Sequence, residues 1–195
     1  MTKDKLKKIE IGIGKRQDIL ENQVNSKNIF LALGSNLNSE FGSRLKNLEV
    51  AQLLIISKNI DIIDRSSYYE TLSYPNKNDP KFINCVIKIN TKLTPNKLLS
   101  VLLKIEKVIG RTRKKNKKND PRVCDIDIID YRGKLIRSTN YLNLTIPHKF
   151  LHHRHFVLIP LAEICPNWIH PKFGIKINFI LDNLNASDLN SIKKI

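Results

Sequence analysis

The chain has 195 residues and a formal net charge of +16. That length allows one domain with a sizeable core, and no apolar run approaches the ~18 residues of a membrane-spanning helix, so we expect no membrane segment. The three cysteines are scattered and form no Cys-x-x-Cys pair. This argues against a disulfide framework and favours the cytoplasm.

The positive charge has two interpretations. A polyanionic partner, either nucleic acid or a nucleotide polyphosphate, would be attracted by it. An AT-rich genome would give the same excess, because Lys, Asn and Ile are abundant throughout, and most of the charge would then lie on solvated surfaces. The basic run at 111–118 is the exception, since it is dense and local.

Residues 1–27 are predicted as a basic, flexible N-terminal extension, with seven Lys or Arg and four Asp or Glu. They contain no apolar stretch typical of a secretory signal. Residues 28–195 are predicted as one domain, which opens with a buried strand at 28–33 and a Gly-Ser-Asn turn. Apolar residues three and four apart predict a helix at about 41–57, and β-branched and aromatic residues predict a strand at 60–69.

A long polar loop at 71–81 leads to a strand at 82–90 with clean alternation of apolar and polar residues. Its pattern places Phe82 and Asn84 side by side on one face. An aromatic ring beside an amide suits a flat, hydrogen-bonding heterocycle. An ordinary half-exposed strand would show the same pattern.

The second half of the domain begins with a helix. Thr94 is its predicted N-cap, Pro95 its first residue and Gly110 its end. A basic loop at 111–121, a strand, a turn at 131–134, a strand at 141–146 and helices at 155–164 and 177–184 follow. The order strand, helix, strand, strand, helix, strand predicts an α+β, ferredoxin-like βαββαβ fold. Helices would pack on a mostly antiparallel sheet, with extra helices at the C-terminus.

The strand after the basic loop carries two acidic residues on one face. Its alternation directs Cys124, Ile126 and Ile128 into a core and Asp125 and Asp127 to the opposite face. Two neighbouring carboxylates repel each other unless a cation lies between them, and Mg²⁺ is commonly held by one or two carboxylates plus substrate phosphates. The strand therefore suggests a metal–phosphate site. A solvated edge strand whose Asp side chains face water is the alternative.

Four separated stretches, in order and spacing, resemble one enzyme family, that of 6-hydroxymethyl-7,8-dihydropterin pyrophosphokinase. The resemblance runs from about Ile29 to about Pro171. The stretches are Ala32 to Leu37; Ile105-Glu106 with Gly110-Arg111 and Arg113; Pro121-Arg122 with Asp125 to Ile128; and Ile146-Pro147-His148 with Arg154, Phe156 and Pro160.

The resemblance implies that ATP, as co-substrate, gives its terminal two phosphates to the hydroxymethyl oxygen of the pterin and releases AMP in folate biosynthesis. It implies a catalytic set of Arg111, Arg122, Asp125 and Asp127, in which the two Asp side chains bind two Mg²⁺ ions. It implies ATP contacts from Glu106, Arg113, Arg122, Ile128, Thr145, His148 and Arg154. It implies pterin contacts from Thr71, Leu72, Tyr74, Phe82, Asn84 and Phe156. The loops at 71–81 and 111–121 would be lids that exclude water.

This chain departs from the family pattern at four positions. Asn119 lies near a position where family members often carry Trp, and Leu72 stands where Pro is common. Leu103 replaces a Gln that often contacts the nucleotide, and Lys149 replaces an aromatic residue. These departures affect the expected affinities, and a small insertion at 137–144 affects the alignment before Thr145.

Three other functions are less consistent with the sequence. A ferredoxin-like nucleic-acid-binding module would need an aromatic-basic run on a central strand, which the sequence lacks. A zinc site at His148, His152, His153 and His155 would need three or four convergent ligands. A fused folate enzyme would need a second catalytic domain, for which we expect no room after Pro171. We therefore expect small-molecule substrates, no nucleic acid, no membrane and a monomer.

Overall fold

The structure is a computed structural model, and it describes residues 27–73, 76–112, 120–137 and 143–195. The predicted extension lies outside these ranges apart from Lys27, as do Tyr74 and Arg113. Within the ranges, no helix combines the length and apolar character needed to cross a bilayer.

Among the described residues, the first two thirds of the domain contain seven strands and two helices. They are β1 (Ile29–Ser35), α1 (Arg44–Ile56), β2 (Asp61–Arg65), β3 (Tyr69–Thr71), β4 (Phe82–Asn90), α2 (Pro95–Val108), β5 (Asp125–Tyr131), β6 (Ile136–Arg137) and β7 (Thr145–Ile146). A 3-10 turn (Leu151–His153), α3 (His155–Ile164), β8 (Ile169–His170), β9 (Ile175–Lys176), α4 (Ile177–Asp182), α5 (Ala186–Leu189) and β10 (Ile192–Lys194) complete the chain.

Six strands form the main sheet, in the order β10-β3-β4-β1-β5, with β2 also paired to β4. Each of these pairings is antiparallel. The strand β1 lies between β4 and β5, where Leu33 pairs with Cys85 of β4 and Ile126 of β5. The protein is thus a mixed α/β domain built on an antiparallel sheet, as predicted, and β5 lies at one end of the strand order.

Helices cover both faces of the sheet. On one face α1 and α2 pack on alternate strand residues, and this core includes Leu31, Leu48, Ile87, Leu102 and Ile126. On the other face α3 and α4 pack on the intervening residues, and that core includes Phe30, Val86, Leu158, Trp168 and Ile177. The sheet is therefore the middle layer of three, with both faces buried along most of β1 and β4.

Two features of β5 decide how its side chains are directed. Cys124, Ile126 and Ile128 lie in the core beneath α1 and α2, as predicted, which leaves Asp125 and Asp127 on the other face. A register shift occurs further along, because Phe30 pairs with Asp130 while Leu31 pairs with Ile128. Ile129 is the additional residue of this bulge, and it packs in the second core.

Three predicted element boundaries were wrong. The helix predicted from about 41 begins at Arg44, since Ser43 is its N-cap and accepts a hydrogen bond from Lys46 N. The single strand predicted at 60–69 is two, β2 and β3, because Ser66 bridges to β4 through its hydroxyl and its backbone. Of the strand predicted at 141–146, the described part is β7 at Thr145–Ile146.

Candidate active site

The face of β5 that carries Asp125 and Asp127 is surrounded by cations. The side chains of these two residues are 25% and 32% exposed, so they are accessible without being fully solvated. The cations come from different elements: Arg111 follows α2, Arg122 precedes β5, and Arg154 is the residue before α3. The fold therefore brings these five predicted site residues together from three segments of the chain.

Asp125 is held between two guanidinium groups. Arg111 Nη1 donates to its Oδ1 at 2.5 Å, and Arg122 Nη1 donates to its Oδ2 at 2.8 Å. Burial alone would raise the pKa of Asp125, but the charges of Arg111 and Arg122 outweigh it and lower the pKa. The carboxylate is therefore ionised at neutral pH, which is the form that binds a metal ion.

Asp127 is paired with a third arginine. Arg154 Nη1 donates to Asp127 Oδ2 at 2.9 Å, and His148 Nε2 lies 4.0 Å from the same oxygen. Burial lowers the pKa of His148 although the Asp127 charge opposes this, so the imidazole is neutral at pH 7. His148 thus offers one N–H donor beside the carboxylates without adding charge.

Glu106, a predicted nucleotide contact, is buried at 2% exposure. Its Oε1 accepts hydrogen bonds from Arg111 Nη1 and from the backbone N–H of Ile126, the latter at 2.8 Å. Burial would lower the pKa of Arg111, but the charges of Asp125 and Glu106 raise it. The carboxylate of Glu106 therefore fixes Arg111 against the edge of β5.

An open cavity lies next to this pair. Its volume is about 630 Å³, which is in the usual size range for small-molecule sites. The end of α2 and the residues after it line the cavity: Leu103, Glu106, Lys107, Gly110, Arg111 and Thr112. Gly110 has a φ of +104°, a conformation that favours glycine, and it turns the chain so that Arg111 points back to Asp125.

The predicted pterin residues of β3 and β4 form a second recess. Asn84 Nδ2 donates to Thr71 Oγ1 at 2.9 Å, and these side chains are 6% and 2% exposed. Across β1, a Cβ built at Gly34 would lie 3.0 Å from Asn84 Oδ1 and 3.5 Å from the Phe82 ring. Gly34 therefore lets the amide and the ring pack closely against the backbone of β1, where a larger residue would press on Asn84.

An aromatic ring lies close to two of the three arginines at this face. The Arg122 guanidinium lies 5.6 Å from the centre of the Phe82 ring, and the Arg154 guanidinium lies 5.7 Å from that of Phe156. These distances are within the range of cation–π attraction. The aromatic recess and the carboxylate face are therefore parts of one continuous site.

Asn36 was predicted only as part of a turn, and its place in the site was not predicted. The side chain is 2% exposed; its Oδ1 accepts from Arg122 N at 2.6 Å, and its Nδ2 donates to Pro80 O at 3.0 Å and to Ser73 Oγ at 3.3 Å. Asn36 thus joins the ends of both long loops. The motif around Gly34 indicated this position, but the two loop partners are distant in sequence and left no local pattern.

The remaining predicted site residues fall into three groups. Thr145 and His148 are half-buried on and just after β7, and Leu72 is 37% exposed. The Ile128 side chain is 3% exposed in the core, on the opposite face from the two Asp carboxylates. Tyr74 and Arg113 lie outside the described residues.

The donor atoms of the carboxylate face fit magnesium. Carboxylate oxygens are hard ligands, and Mg²⁺ is usually bound through one or two of them together with substrate phosphates. Among the described residues, no group of three or more His, Cys, Asp or Glu side chains is arranged to hold a metal ion. The two carboxylates thus suit a metal that arrives with further oxygen ligands, and the described histidines do not support the zinc alternative.

An open nucleotide-sized cavity, two neighbouring carboxylates and three arginines on an α/β scaffold are typical of a phosphotransferase that acts on a nucleoside triphosphate. A family model for 7,8-dihydro-6-hydroxymethylpterin-pyrophosphokinase (HPPK) matches residues 30–166. This chain belongs to that family.

Relatives and solved structures agree with this assignment. The Aquifex aeolicus 2-amino-4-hydroxy-6-hydroxymethyldihydropteridine pyrophosphokinase is 38% identical over 145 residues, which are 74% of this chain and 84% of the relative. The Dictyostelium discoideum folic acid synthesis protein FOL1 is 35% identical over 182 residues, 89% of this chain. A Plasmodium falciparum HPPK-DHPS triple mutant matches the fold with a TM-score of 0.64 at 17% identity, over 86% of this chain and 46% of that one.

Several of these relatives are much longer than this chain. The match covers 26% of the Dictyostelium protein and 22% of the Pneumocystis carinii folic acid synthesis protein. Family membership therefore rests on the pyrophosphokinase region that all of them share.

Proposed function

We propose that this protein transfers pyrophosphate from ATP to the hydroxymethyl oxygen of 6-hydroxymethyl-7,8-dihydropterin and releases AMP, a step of folate biosynthesis. The oxygen attacks the β-phosphorus, and the bond from that phosphorus to the oxygen shared with the α-phosphate breaks. The observation that carries the proposal is the continuity of the carboxylate–arginine face with the aromatic recess, because both substrates must meet there.

The nucleotide would lie along the edge of β5. The backbone N–H of Ile126 points away from β1, since it donates to Glu106, and the period-two alternation directs the N–H of Ile128 to the same edge. Ile128 would therefore contact the base through its backbone rather than its buried side chain. The cavity beside Leu103 and Lys107 offers room for the base, and Thr145 and His148 lie on the way to the phosphates.

Asp125 and Asp127 would hold the Mg²⁺ ions, of which we propose two. Bound magnesium neutralises triphosphate charge and makes the phosphorus more electrophilic. The guanidinium groups of Arg111, Arg122 and Arg154 now occupy the carboxylate oxygens, so their pairs with the Asp side chains have to open when metal and ATP bind.

The arginines released in this way would bind phosphate oxygens. A guanidinium fork meets two such oxygens at once, and Arg111 and Arg122 would stabilise the charge that develops as the bond to AMP breaks. Arg154 and Arg113 would hold the nucleotide. Closure of the loops at 71–81 and 111–121 would exclude water, which otherwise competes with the pterin hydroxyl.

The pterin would occupy the recess above Gly34. Phe82 and Phe156 would stack on the heterocycle, and the amide of Asn84, oriented by Thr71, would hydrogen-bond to its edge. Leu72 and Tyr74 would contribute from the loop. The strand order and the βαββαβ sequence of elements support the ferredoxin-like arrangement, which we also propose.

A nucleic-acid-binding module is not favoured, because two neighbouring carboxylates on the exposed part of the sheet would repel a phosphate backbone. If such a module were present, nucleic-acid binding would persist in EDTA, where the carboxylates carry no metal. If EDTA abolishes binding to nucleic acid, or if the protein binds no nucleic acid at all, the result agrees with the pyrophosphokinase.

The direct test is to mix the protein with ATP, Mg²⁺ and 6-hydroxymethyl-7,8-dihydropterin and to separate the nucleotides over time. AMP should accumulate in step with pterin consumption. Formation of ADP, or nucleotide turnover that does not depend on the pterin, would contradict the proposed reaction. Omission of Mg²⁺ should stop AMP formation.

A further inference from the structure

The C-terminal strand β10 forms one end of the main sheet, next to the strand that carries Thr71. Ile192 pairs with Thr71, and Lys194 pairs with Tyr69. Ile195 N also donates to Tyr68 O at 3.0 Å. Since β3 has only three residues, the pairing with β10 on one side and β4 on the other holds both of its edges.

Glu163 of α3 connects this strand to the rest of the molecule. Its carboxylate accepts four hydrogen bonds: from Ser67 N at 2.9 Å, Ser67 Oγ at 2.7 Å, Tyr69 Oη at 3.0 Å and Lys194 Nζ at 2.9 Å. Burial would raise the pKa of Glu163, but these hydrogen bonds lower it to about 2. One carboxylate thus joins α3, β3, the segment before β3 and β10.

The other end of α3 has a second connection to the C-terminal segment. Ser191 Oγ lies 3.2 Å from His155 Nε2 and donates to Asp188 O at 2.7 Å. Because its own proton is used for Asp188, the hydroxyl oxygen is left to accept from the imidazole N–H. His155 is the first residue of α3 and precedes Phe156 directly.

Each connection reaches an element that carries a residue of the proposed pterin recess: Glu163 bonds to Tyr69 on the strand of Thr71, and Ser191 contacts His155, the neighbour of Phe156. Thr71 accepts the hydrogen bond that orients the Asn84 amide, and Phe156 provides a ring on the side of Arg154. None of Glu163, Ser191 and β10 contacts the carboxylate face in the hydrogen bonds described above. Glu163 and β10 are thus connected to the strand that carries Thr71 and not to the carboxylates.

We propose that the C-terminal strand and its two anchors, Glu163 and Ser191, are positioning elements for the pterin recess. They hold Thr71 and Phe156 at the separation that the heterocycle needs. This inference rests on the proposed function, since it assigns the anchors to the substrate of that reaction.

The test uses Glu163→Gln, with Glu49→Gln as the matched control. Glu49 makes an exposed ion pair with Lys46 on α1 at 3.0 Å, away from the recess. The affinity for the dihydropterin is measured by fluorescence in the presence of Mg²⁺ and a non-hydrolysable ATP analogue. The affinity for the analogue is measured in the absence of the pterin. Loss of charge-assisted hydrogen bonds should raise the pterin Kd by about tenfold in Glu163→Gln. The analogue Kd should stay unchanged, and Glu49→Gln should match the wild type.

Three results would overturn the inference. Equal pterin affinity in Glu163→Gln and wild type would show that the anchor is structural, and equal weakening of both ligands would show a general loss of the fold. If the wild type binds no pterin, the proposed function fails as well, which distinguishes the two failures. Should Glu163→Gln not fold, Ser191→Ala tests the other anchor in the same way, because it removes the hydroxyl that accepts from His155 and donates to Asp188 O.

Discussion

At the scale of single residues, the site is an arrangement of charges that neutralise each other before any ligand arrives. Asp125 and Asp127 carry two negative charges, and Arg111, Arg122 and Arg154 carry three positive charges. Breaking a partly buried pair by removing one partner leaves the other uncompensated. The arginines thus stabilise the carboxylates in the free protein, and in the proposed mechanism the same groups become available to phosphates when the carboxylates bind metal.

Asp127→Ala should abolish turnover and leave the fold intact. The carboxylate points away from the core and is about a third exposed, so we expect thermal stability to change by less than about 1 kcal/mol. AMP formation should fall by about 10³-fold or more, since both the proposed metal ligand and the ion pair that orients Arg154 are lost. Asp61→Ala, on the exposed start of β2, serves as the control. If circular dichroism shows that Asp127→Ala is unfolded, the prediction that the Asp127 side chain points away from the core is wrong.

Glu106→Gln separates two roles for this residue. The buried carboxylate accepts from Arg111 and Ile126, so the substitution should lower the free energy of unfolding by about 1–3 kcal/mol and lower kcat through misplacement of Arg111. Chemical denaturation and AMP formation measure these effects, with the exposed Glu40→Gln as control. An increase in KM for ATP at unchanged stability would instead make Glu106 a direct nucleotide contact.

At the scale of elements, β5 shows what the sequence could and could not predict. Strict alternation over Cys124 to Ile128 sufficed to place both carboxylates opposite the core. The alternation then fails at Ile129, because a bulge depends on the register with β1, and a partner strand leaves no trace in the local pattern. The same limit explains the division of the strand predicted at 60–69 and the pairing of β10 with β3.

The buried second face was also beyond local patterns. Apolar residues such as Phe30, Val86 and Ile129 lie there beneath α3 and Trp168, and the local pattern of a helix does not indicate which face of the sheet it covers. The aromatic and amide pair of β4 was predicted as a binding surface, and it lies beside Gly34 of β1. Local alternation thus predicted candidate site residues on β4 and β5, but the packing that surrounds them depends on contacts distant in sequence.

The bulge has a consequence for stability, since it buries Asp130 completely. Trp168 Nε1 donates to its Oδ2 at 2.7 Å, but burial raises the pKa of Asp130 from 3.8 to about 6. The folded state therefore favours the protonated form. The stability that protonated Asp130 contributes to the folded state is fully present below pH 3.8 and is lost as the pH rises to about 6.

Asp130→Asn should remove this pH dependence. Urea denaturation from pH 3.5 to 7 measures the free energy of unfolding of the wild type and of the variant. The wild type should become less stable relative to the variant as the pH rises from 3.8 to about 6. Above that range the difference should stay constant. Asp64→Asn on β2, an exposed residue, should show no such shift. A difference that is flat from pH 3.5 to 7 would contradict a raised pKa at Asp130.

At the scale of the whole molecule, the net charge of +16 acts in the same direction as the local site. A strongly positive protein attracts a polyanion before contact and raises its rate of association. Three arginines lie at the carboxylate face, and one of them, Arg111, is the first residue of the lysine-rich run at 111–118. The overall charge, whatever its origin in composition, thus favours ATP over an uncharged ligand.

Raising the salt concentration should therefore weaken ATP use selectively. Between about 0.05 and 0.3 M salt the screening length falls to roughly half, and we expect kcat/KM for ATP to decrease by about threefold to tenfold. The KM for the uncharged pterin at saturating ATP should stay nearly constant. Replacing Lys114, Lys115, Lys117 and Lys118 with Gln lowers the formal charge from +16 to +12 and should flatten the dependence. A parallel loss for both substrates would mean that salt acts on the fold and not on the approach of the nucleotide.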